Sequence, residues 1–127
     1  MPKHVMIVDD SSTLRRMIEQ SLASSGFEVT SCASGKEAVE LARKSSPQVV
    51  ITDLNMPEID GLALTRQLRA TPQTAKCPIL ILTTDNSAER KQEARQAGAS
   101  GWVLKPFQPE TLIRAIQTVC QRAESLA

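Results

Sequence analysis

Val49-Val50-Ile51-Thr52-Asp53, entered through Pro47-Gln48, is the stretch that decides the fold. Its first four residues are all β-branched, which favours extended backbone. The run shows no alternation of apolar and polar residues, as expected of a strand covered on both faces, and that is the habit of a parallel sheet lying between helices. It therefore belongs in the middle of such a sheet and ends in a carboxylate, Asp53.

Working outward, short β-branched runs alternate with longer stretches at helical spacing. Val5-Met6-Ile7-Val8 precedes Leu14, Met17, Ile18 and Leu22, spaced as one helix face that stops near Gly26. Glu28 to Ala33 is a more polar run and reads as an edge strand. Ser34 and Glu37 are spaced as a capping box ahead of Ala38, Val39, Leu41 and Ala42. After the central strand, Asp60 can cap a third helix through Leu64 and Leu68, which breaks before Pro72. Ile79-Leu80-Ile81-Leu82 is the fourth strand. The fourth helix, about Ser87 to Ala97, offers the core mainly alanines, so little packing energy holds it and it is the candidate mobile element. Gly101-Trp102-Val103-Leu104 forms the fifth strand. Pro109 can open a last helix carrying Leu112, Ile113, Ile116, Val119 and Cys120.

Five strand-helix pairs predict an α/β fold with helices on both faces of a parallel sheet. Sites in such sheets form beyond the carboxyl ends of the strands. The residues there are Asp9 and Asp10, Asp53, Thr83 with Thr84, and Lys105. Two like charges about 4 Å apart repel by roughly 4 kcal/mol at an effective dielectric near 20. Three clustered carboxylates therefore invite a divalent cation, and a small set of hard oxygens suits Mg²⁺. Lys105 adds a movable positive charge and Thr83 a hydroxyl, which together could hold the oxygens of a phosphoryl group on Asp53. Taken singly, each aspartate could instead be a helix or turn cap. Their joint occurrence at the sheet edge favours the chemical reading.

These residues resemble the receiver domains of two-component response regulators, most closely the single-domain, CheY-like chemotaxis members. The resemblance is carried by Val8-Asp9-Asp10-Ser11-Ser12 with Arg15-Arg16, by Asp53-Leu54-Asn55-Met56-Pro57 with Asp60-Gly61, by Leu82-Thr83-Thr84, and by residues 96–107, which end in Leu104-Lys105-Pro106-Phe107. It implies a flavodoxin-like, doubly wound (βα)5 fold with a five-stranded parallel sheet in the order 2-1-3-4-5, and one receiver domain over residues 1–127 with no output domain. It also implies that Asp53 is the phosphoacceptor. Mg²⁺ would be bound by Asp10, Asp53 and the backbone carbonyl of Asn55, with Asp9 assisting through water. Thr83 and Lys105 would contact the phosphoryl group, with Thr84 beside them, and the bond before Pro106 would be cis.

The same likeness assigns Asn55 and Asp85 to positions that tune attack by water on the phosphorylated state. A phosphoryl group adds about −1.5 to −2 charges, and Thr83 and Lys105 are expected to move toward it, carrying the loop before the fourth helix. In the family a threonine shift lets an aromatic on strand five turn inward. Trp102 holds that position and is bulkier than the usual tyrosine; the alternative is an indole half buried at a sheet edge. Output would be by protein docking on a surface including Arg90, Lys91, Trp102 and Arg114, charges that otherwise read as a solvated face. The partners implied are a sensor histidine kinase as phosphodonor, a downstream protein such as the flagellar motor switch, and a phosphatase, with the chain itself a monomer. Ser11-Ser12-Thr13-Leu14-Arg15-Arg16 leans toward chemotaxis, while phosphorelays and other motility systems also use single-domain receivers.

Composition limits the alternatives. The chain has 127 residues, 41% hydrophobic and 23% charged, the size of one domain with one core, which needs no structural metal or disulfide. Its 15 Lys and Arg against 14 Asp and Glu give a net charge of +1, with no overall basic field for nucleic acid. No apolar run approaches the roughly 18 residues of a membrane span and no cleavable signal is evident, so a soluble, cytoplasmic protein is expected. Cys32, Cys77 and Cys120 are too far apart for a CxxC pair and read as reduced structural thiols. His4, the only histidine, reads as structural. A Mg²⁺-dependent aspartyl-phosphate phosphatase would need a second aspartate where Asn55 stands, and a domain to enclose its substrate. A flavin binder could use Ser11-Ser12-Thr13 as a phosphate loop, but two Phe and one Trp leave little to stack on the ring. A receiver acting only as a binding module would usually have lost acidic residues that are retained here.

Overall fold

The structure is a computed structural model that describes residues 3–126, with side chains to residue 123. Its elements are β1 (His4–Val8), α1 (Ser12–Ser24), β2 (Glu28–Cys32), α2 (Gly35–Ser45), β3 (Val49–Asp53), α3 (Gly61–Arg69), a 3-10 turn (Pro72–Thr74), β4 (Ile79–Thr83), α4 (Ala88–Ala97), β5 (Gly101–Leu104) and α5 (Pro109–Leu126). The five strands are parallel in the order β2-β1-β3-β4-β5. This is the flavodoxin-like arrangement expected, with β3 central and β2 at an edge.

Alternation along the strands divides the core into two layers. Val5, Ile7, Val49, Ile51, Leu80 and Leu82 face one side, where Ile18 and Leu22 of α1 meet Leu112, Ile116 and Val119 of α5. Met6, Val8, Val50, Ile79 and Ile81 face the other, against Ala38 and Ala42 of α2, Leu64 and Leu68 of α3, and Ala94 and Ala97 of α4. Burying a leucine contributes about 1.5 to 3 kcal/mol and an alanine far less. α2 and α4 each bury two alanines, but α2 also packs Val39 and Leu41 on this layer and α4 adds no larger apolar residue, so α4 is the most weakly anchored of the three.

Side-chain caps set the helix starts. Ser11, Ser34, Asp60 and Ser87 accept from the backbone N–H groups of Leu14, Glu37, Ala63 and Arg90. Gly98 ends α4 in the left-handed region at φ 104°, where glycine carries no Cβ penalty. Two features differ from the sequence reading. Met17 is 59% exposed, not core: it lies at the margin of the α1 stripe and lines a cleft with Leu14, Pro106 and Phe107. The 3-10 turn after α3 was not expected, and Arg69 holds it by donating to the carbonyls of Thr74, Cys77 and Gly98. Among the described residues, no helix is long and apolar enough to cross a membrane.

Candidate functional site

Strand register brings the predicted residues together. Val8 pairs with Thr52, Asp53 with Leu82 and Thr83 with Leu104, so Asp9, Asp53, Thr83 and Lys105 emerge at one edge of the sheet. Backbone bonds carry the ladder past the strand ends, from Asp9 N to Cys32 O at 3.1 Å and from Lys105 N to Thr83 O at 2.8 Å. Asp9, Asp10 and Asp53 each offer a carboxylate oxygen, and these atoms lie within 4.8 Å of one another. Lys105 Nζ donates to Asp53 Oδ1 at 2.7 Å and stands 4.0 Å from Asp9 Oδ2. The Lys105-Pro106 bond is cis.

The three acids are not equivalent. Asp10 is exposed, whereas Asp53 is 8% and Asp9 only 1% exposed. Asp9 Oδ1 accepts from Ser11 N at 2.8 Å, but Asp9 Oδ2 is buried without a hydrogen bond. Burial raises the Asp9 carboxyl above its ordinary value; the Ser11 N–H opposes the rise, Asp53 adds to it, Lys105 opposes it and Asp10 adds a little. An orphaned carboxylate oxygen beside two further carboxylates is a donor set of hard oxygens that fits Mg²⁺.

This arrangement predicts a stability effect whose sign follows from linkage. With its folded pKa raised, Asp9 binds protons more readily in the native state, so its contribution falls as pH rises from the unfolded value of 3.8 through the folded one. Asp9→Asn should therefore stabilise metal-free protein at neutral pH by about 1 kcal/mol, roughly 4 °C in Tm. The gain should shrink as pH falls toward 3.8. Added Mg²⁺ should raise the wild-type Tm more than the variant's. Thermal melts across pH, with and without Mg²⁺, check this; a destabilised variant at pH 7 contradicts it.

The remaining predicted residues divide. Thr83 is buried, and its hydroxyl accepts from Asp85 N at 3.0 Å. Trp102, half-buried against the α2–α4 layer, donates from Nε1 to Asp85 O at 3.1 Å. The two residues expected to move together thus hold the two backbone groups of one loop residue. The Asp85 carboxylate accepts from Ser87 N at 2.8 Å, and bonds to Ser87 keep it below its ordinary pKa. Thr84 is exposed and lines the cleft beside Met17, with no side-chain bond among the described residues. Asn55 is exposed in the loop after β3. On the expected output face, Lys91 and Trp102 share a groove with Arg95 and Arg122, Arg114 lies in the adjoining one, and Arg90 is occupied by Glu93 at 2.6 Å.

Sequence reasoning missed two supports of the site. Arg15 donates from Nη1 to Asp9 O at 2.6 Å. Gly61 lies against the backbone of Asp53. Both stood inside quoted motifs, but nothing local says what they touch.

The comparisons agree with this fold. The family model described as the response regulator receiver domain matches residues 5–117. The chain is 31% identical over 125 residues to the transcriptional regulatory protein SrrA of Staphylococcus aureus, covering 98% of this chain and 51% of that protein, so it spans about half the length of the curated relatives it matches. Chemotaxis protein CheY4 of Vibrio cholerae superposes with TM-score 0.91 at 42% identity, covering 94% of this chain and 99% of that one. The receiver domain of sensor histidine kinase PA1611 from Pseudomonas aeruginosa, with a magnesium ion coordinated in its active site cleft, gives TM-score 0.87 at 29% identity, covering 95% and 99%. Receiver domains are phosphoacceptor signalling modules that histidine kinases phosphorylate and that bind Mg²⁺ at an acidic pocket. With an acidic trio, a lysine and a buried threonine at the carboxyl edge of a β2-β1-β3-β4-β5 sheet, this chain belongs to the response regulator receiver domain family.

Proposed function

We propose that the chain accepts a phosphoryl group on Asp53 from a sensor histidine kinase and signals by phosphorylation-dependent docking to a downstream protein. The observation that carries this reading is the convergence of Asp9, Asp10 and Asp53 with Lys105, whose ammonium lies 2.7 Å from Asp53 Oδ1. In the proposed step an Asp53 carboxylate oxygen attacks the phosphorus of a phosphohistidine. The new P–O bond replaces the P–N bond, and the departing imidazole takes a proton from solvent. Lys105 orients the nucleophile beforehand and balances phosphoryl charge afterwards.

Asp10, Asp53 and the Asn55 carbonyl would hold Mg²⁺, with Asp9 assisting through water. Bound there, the ion supplies charge neutralisation for the incoming phosphoryl oxygens. The Thr83 hydroxyl, on turning to the phosphoryl group, would leave Asp85 N–H without its acceptor. The same loop is tied to Trp102, so this link supports a switch in which the β4–α4 loop and Trp102 respond together. Asn55 and Asp85 would tune the lifetime of the phosphorylated state. Output would use the α4–β5–α5 face, with Lys91, Trp102 and Arg114 more available than Arg90, which Glu93 holds.

A role in chemotaxis through the flagellar motor switch is favoured by the likeness to CheY4. A phosphorelay or other signalling receiver is the second reading, favoured by the likeness to the receiver of a sensor histidine kinase. A cytoplasmic monomer served by a phosphatase completes the proposal. The test is intact mass after incubation with a small acyl phosphate. One phosphoryl adduct with Mg²⁺, and none with chelator, is expected. Failure with this donor and with a competent kinase, on folded protein, would leave a phosphorylation-independent binding module.

A further inference from the structure

We propose that Arg15 is a positioning residue for the acidic trio, orienting Asp9 and Asp10 toward a divalent cation through the peptide group that joins them. This rests on the receiver reading above, because the Mg²⁺ site of that reading is what Arg15 would serve.

The contact is specific. Arg15 lies near the start of α1, and its Nη1 donates to the main-chain oxygen of Asp9 at 2.6 Å across six residues. A guanidinium bond to a carbonyl is charge-assisted and short. The carbonyl belongs to the planar unit between Asp9 and Asp10. Fixing its oxygen fixes that plane, and with it the N–Cα bond that carries the Asp10 side chain, leaving rotation about that bond as the backbone freedom in its aim.

Asp9 and Asp10 differ in how much they need this. Asp9 has two other anchors, its N–H on Cys32 O at 3.1 Å and its Oδ1 on Ser11 N at 2.8 Å. Asp10 is exposed, and its carboxylate has no hydrogen bond among the described residues. Its aim therefore depends on the peptide plane that Arg15 clamps. Arg15 is itself half-buried, which limits the freedom of its side chain.

Arg16 provides an internal control. It has the same charge one residue on, is exposed, and has no partner among the described residues. A general electrostatic effect would make both arginines repel a cation and both neutral variants bind it more tightly. Positioning predicts the opposite for Arg15 alone.

The experiment is calorimetric titration of metal-free protein with Mg²⁺, on wild type, Arg15→Gln, Arg15→Lys and Arg16→Gln. Loss of a group that orients metal ligands typically costs 10- to 100-fold in affinity, so Arg15→Gln should weaken Mg²⁺ binding by about tenfold or more. Arg16→Gln should stay within about twofold of wild type, the small change expected of a single screened charge. Arg15→Lys, which retains a charged donor, should recover part of the loss and carries the test if Arg15→Gln fails to fold. With a small acyl phosphate, the Mg²⁺ concentration for half-maximal phosphorylation should rise in Arg15→Gln, while the rate at saturating Mg²⁺ recovers.

Unchanged or tighter Mg²⁺ binding in folded Arg15→Gln would overturn the proposal. So would an equal loss in Arg16→Gln, or a slower rate at saturating Mg²⁺ with unaltered affinity. Wild type that binds no Mg²⁺ would overturn the proposed Mg²⁺-dependent phosphoacceptor function on which this inference rests, an outcome distinct from these three.

Discussion

Asp53→Asn should abolish phosphoryl uptake while leaving the fold intact. An amide has nearly the shape of a carboxylate, so the pairing of β3 with β1 and β4 is undisturbed. What it lacks is the anionic oxygen that attacks phosphorus. Removing a nucleophile outright costs many powers of ten in rate, so uptake should fall at least about 10³-fold. Stability should not suffer: one of three like charges within 4.8 Å is gone, the amide oxygen can still accept from Lys105 in place of the 2.7 Å ion pair, and the metal-free variant should melt no lower than wild type. Intact mass with an acyl phosphate and Mg²⁺ reads the first effect, and a thermal melt reads the second. A phosphoryl adduct on Asp53→Asn would move the acceptor elsewhere.

Gly61→Ala should cost stability, against the sense that helix propensity alone predicts. Within a helix, Gly to Ala is worth about 1 kcal/mol in favour of Ala. Here the first residue of α3 lies against the end of β3. A Cβ at Gly61 would be 2.5 Å from Asp53 O and 3.0 Å from Leu54 Cα, both backbone atoms. Gly61 N also donates to Leu54 O at 2.8 Å, so the helix cannot slide away without breaking that bond. Overpacking of this kind typically costs 1 to 3 kcal/mol, and contact with rigid backbone points to the upper end, about 2 to 3 kcal/mol, or roughly 10 °C in Tm for a domain this size. The displaced backbone is that of Asp53, so phosphorylation should slow as well. Urea unfolding reads the stability change; a variant as stable as wild type would show that this close approach is not rigid.

Much of the fold was legible because its signals are local. The β-branched run at 49–52 announced a strand covered on both faces, and all of β3 is buried. Ser34 and Asp60 were readable as caps from their positions ahead of apolar periodicity, and both accept the expected N–H bonds. α4 was readable as weakly packed from its alanines. The 3-10 turn was not legible, because three residues carry no periodicity and Arg69, which holds it, reaches carbonyls from several segments. Met17 sat at helical spacing with Leu14 and Ile18, but spacing cannot say how wide the covered stripe is. At the site, the chemical residues were conspicuous as charges and hydroxyls at strand ends. Their unequal surroundings were not: Asp9 and Asp10 are neighbours in sequence, yet one is buried and the other exposed.

By itself, the sequence determined the five strand-helix repeats and the set of residues at the carboxyl ends of the strands, since β-branching, helical spacing and caps act over a few residues. Only the tertiary structure decided that Asp9 keeps an orphaned oxygen, that Thr83 and Trp102 meet on Asp85, and that Arg15 clamps the peptide between two acids. Desolvation and Coulomb coupling depend on distance in space. Lys105 and Asp53 are 52 positions apart along the chain and 2.7 Å apart in the fold, and no local pattern encodes that number.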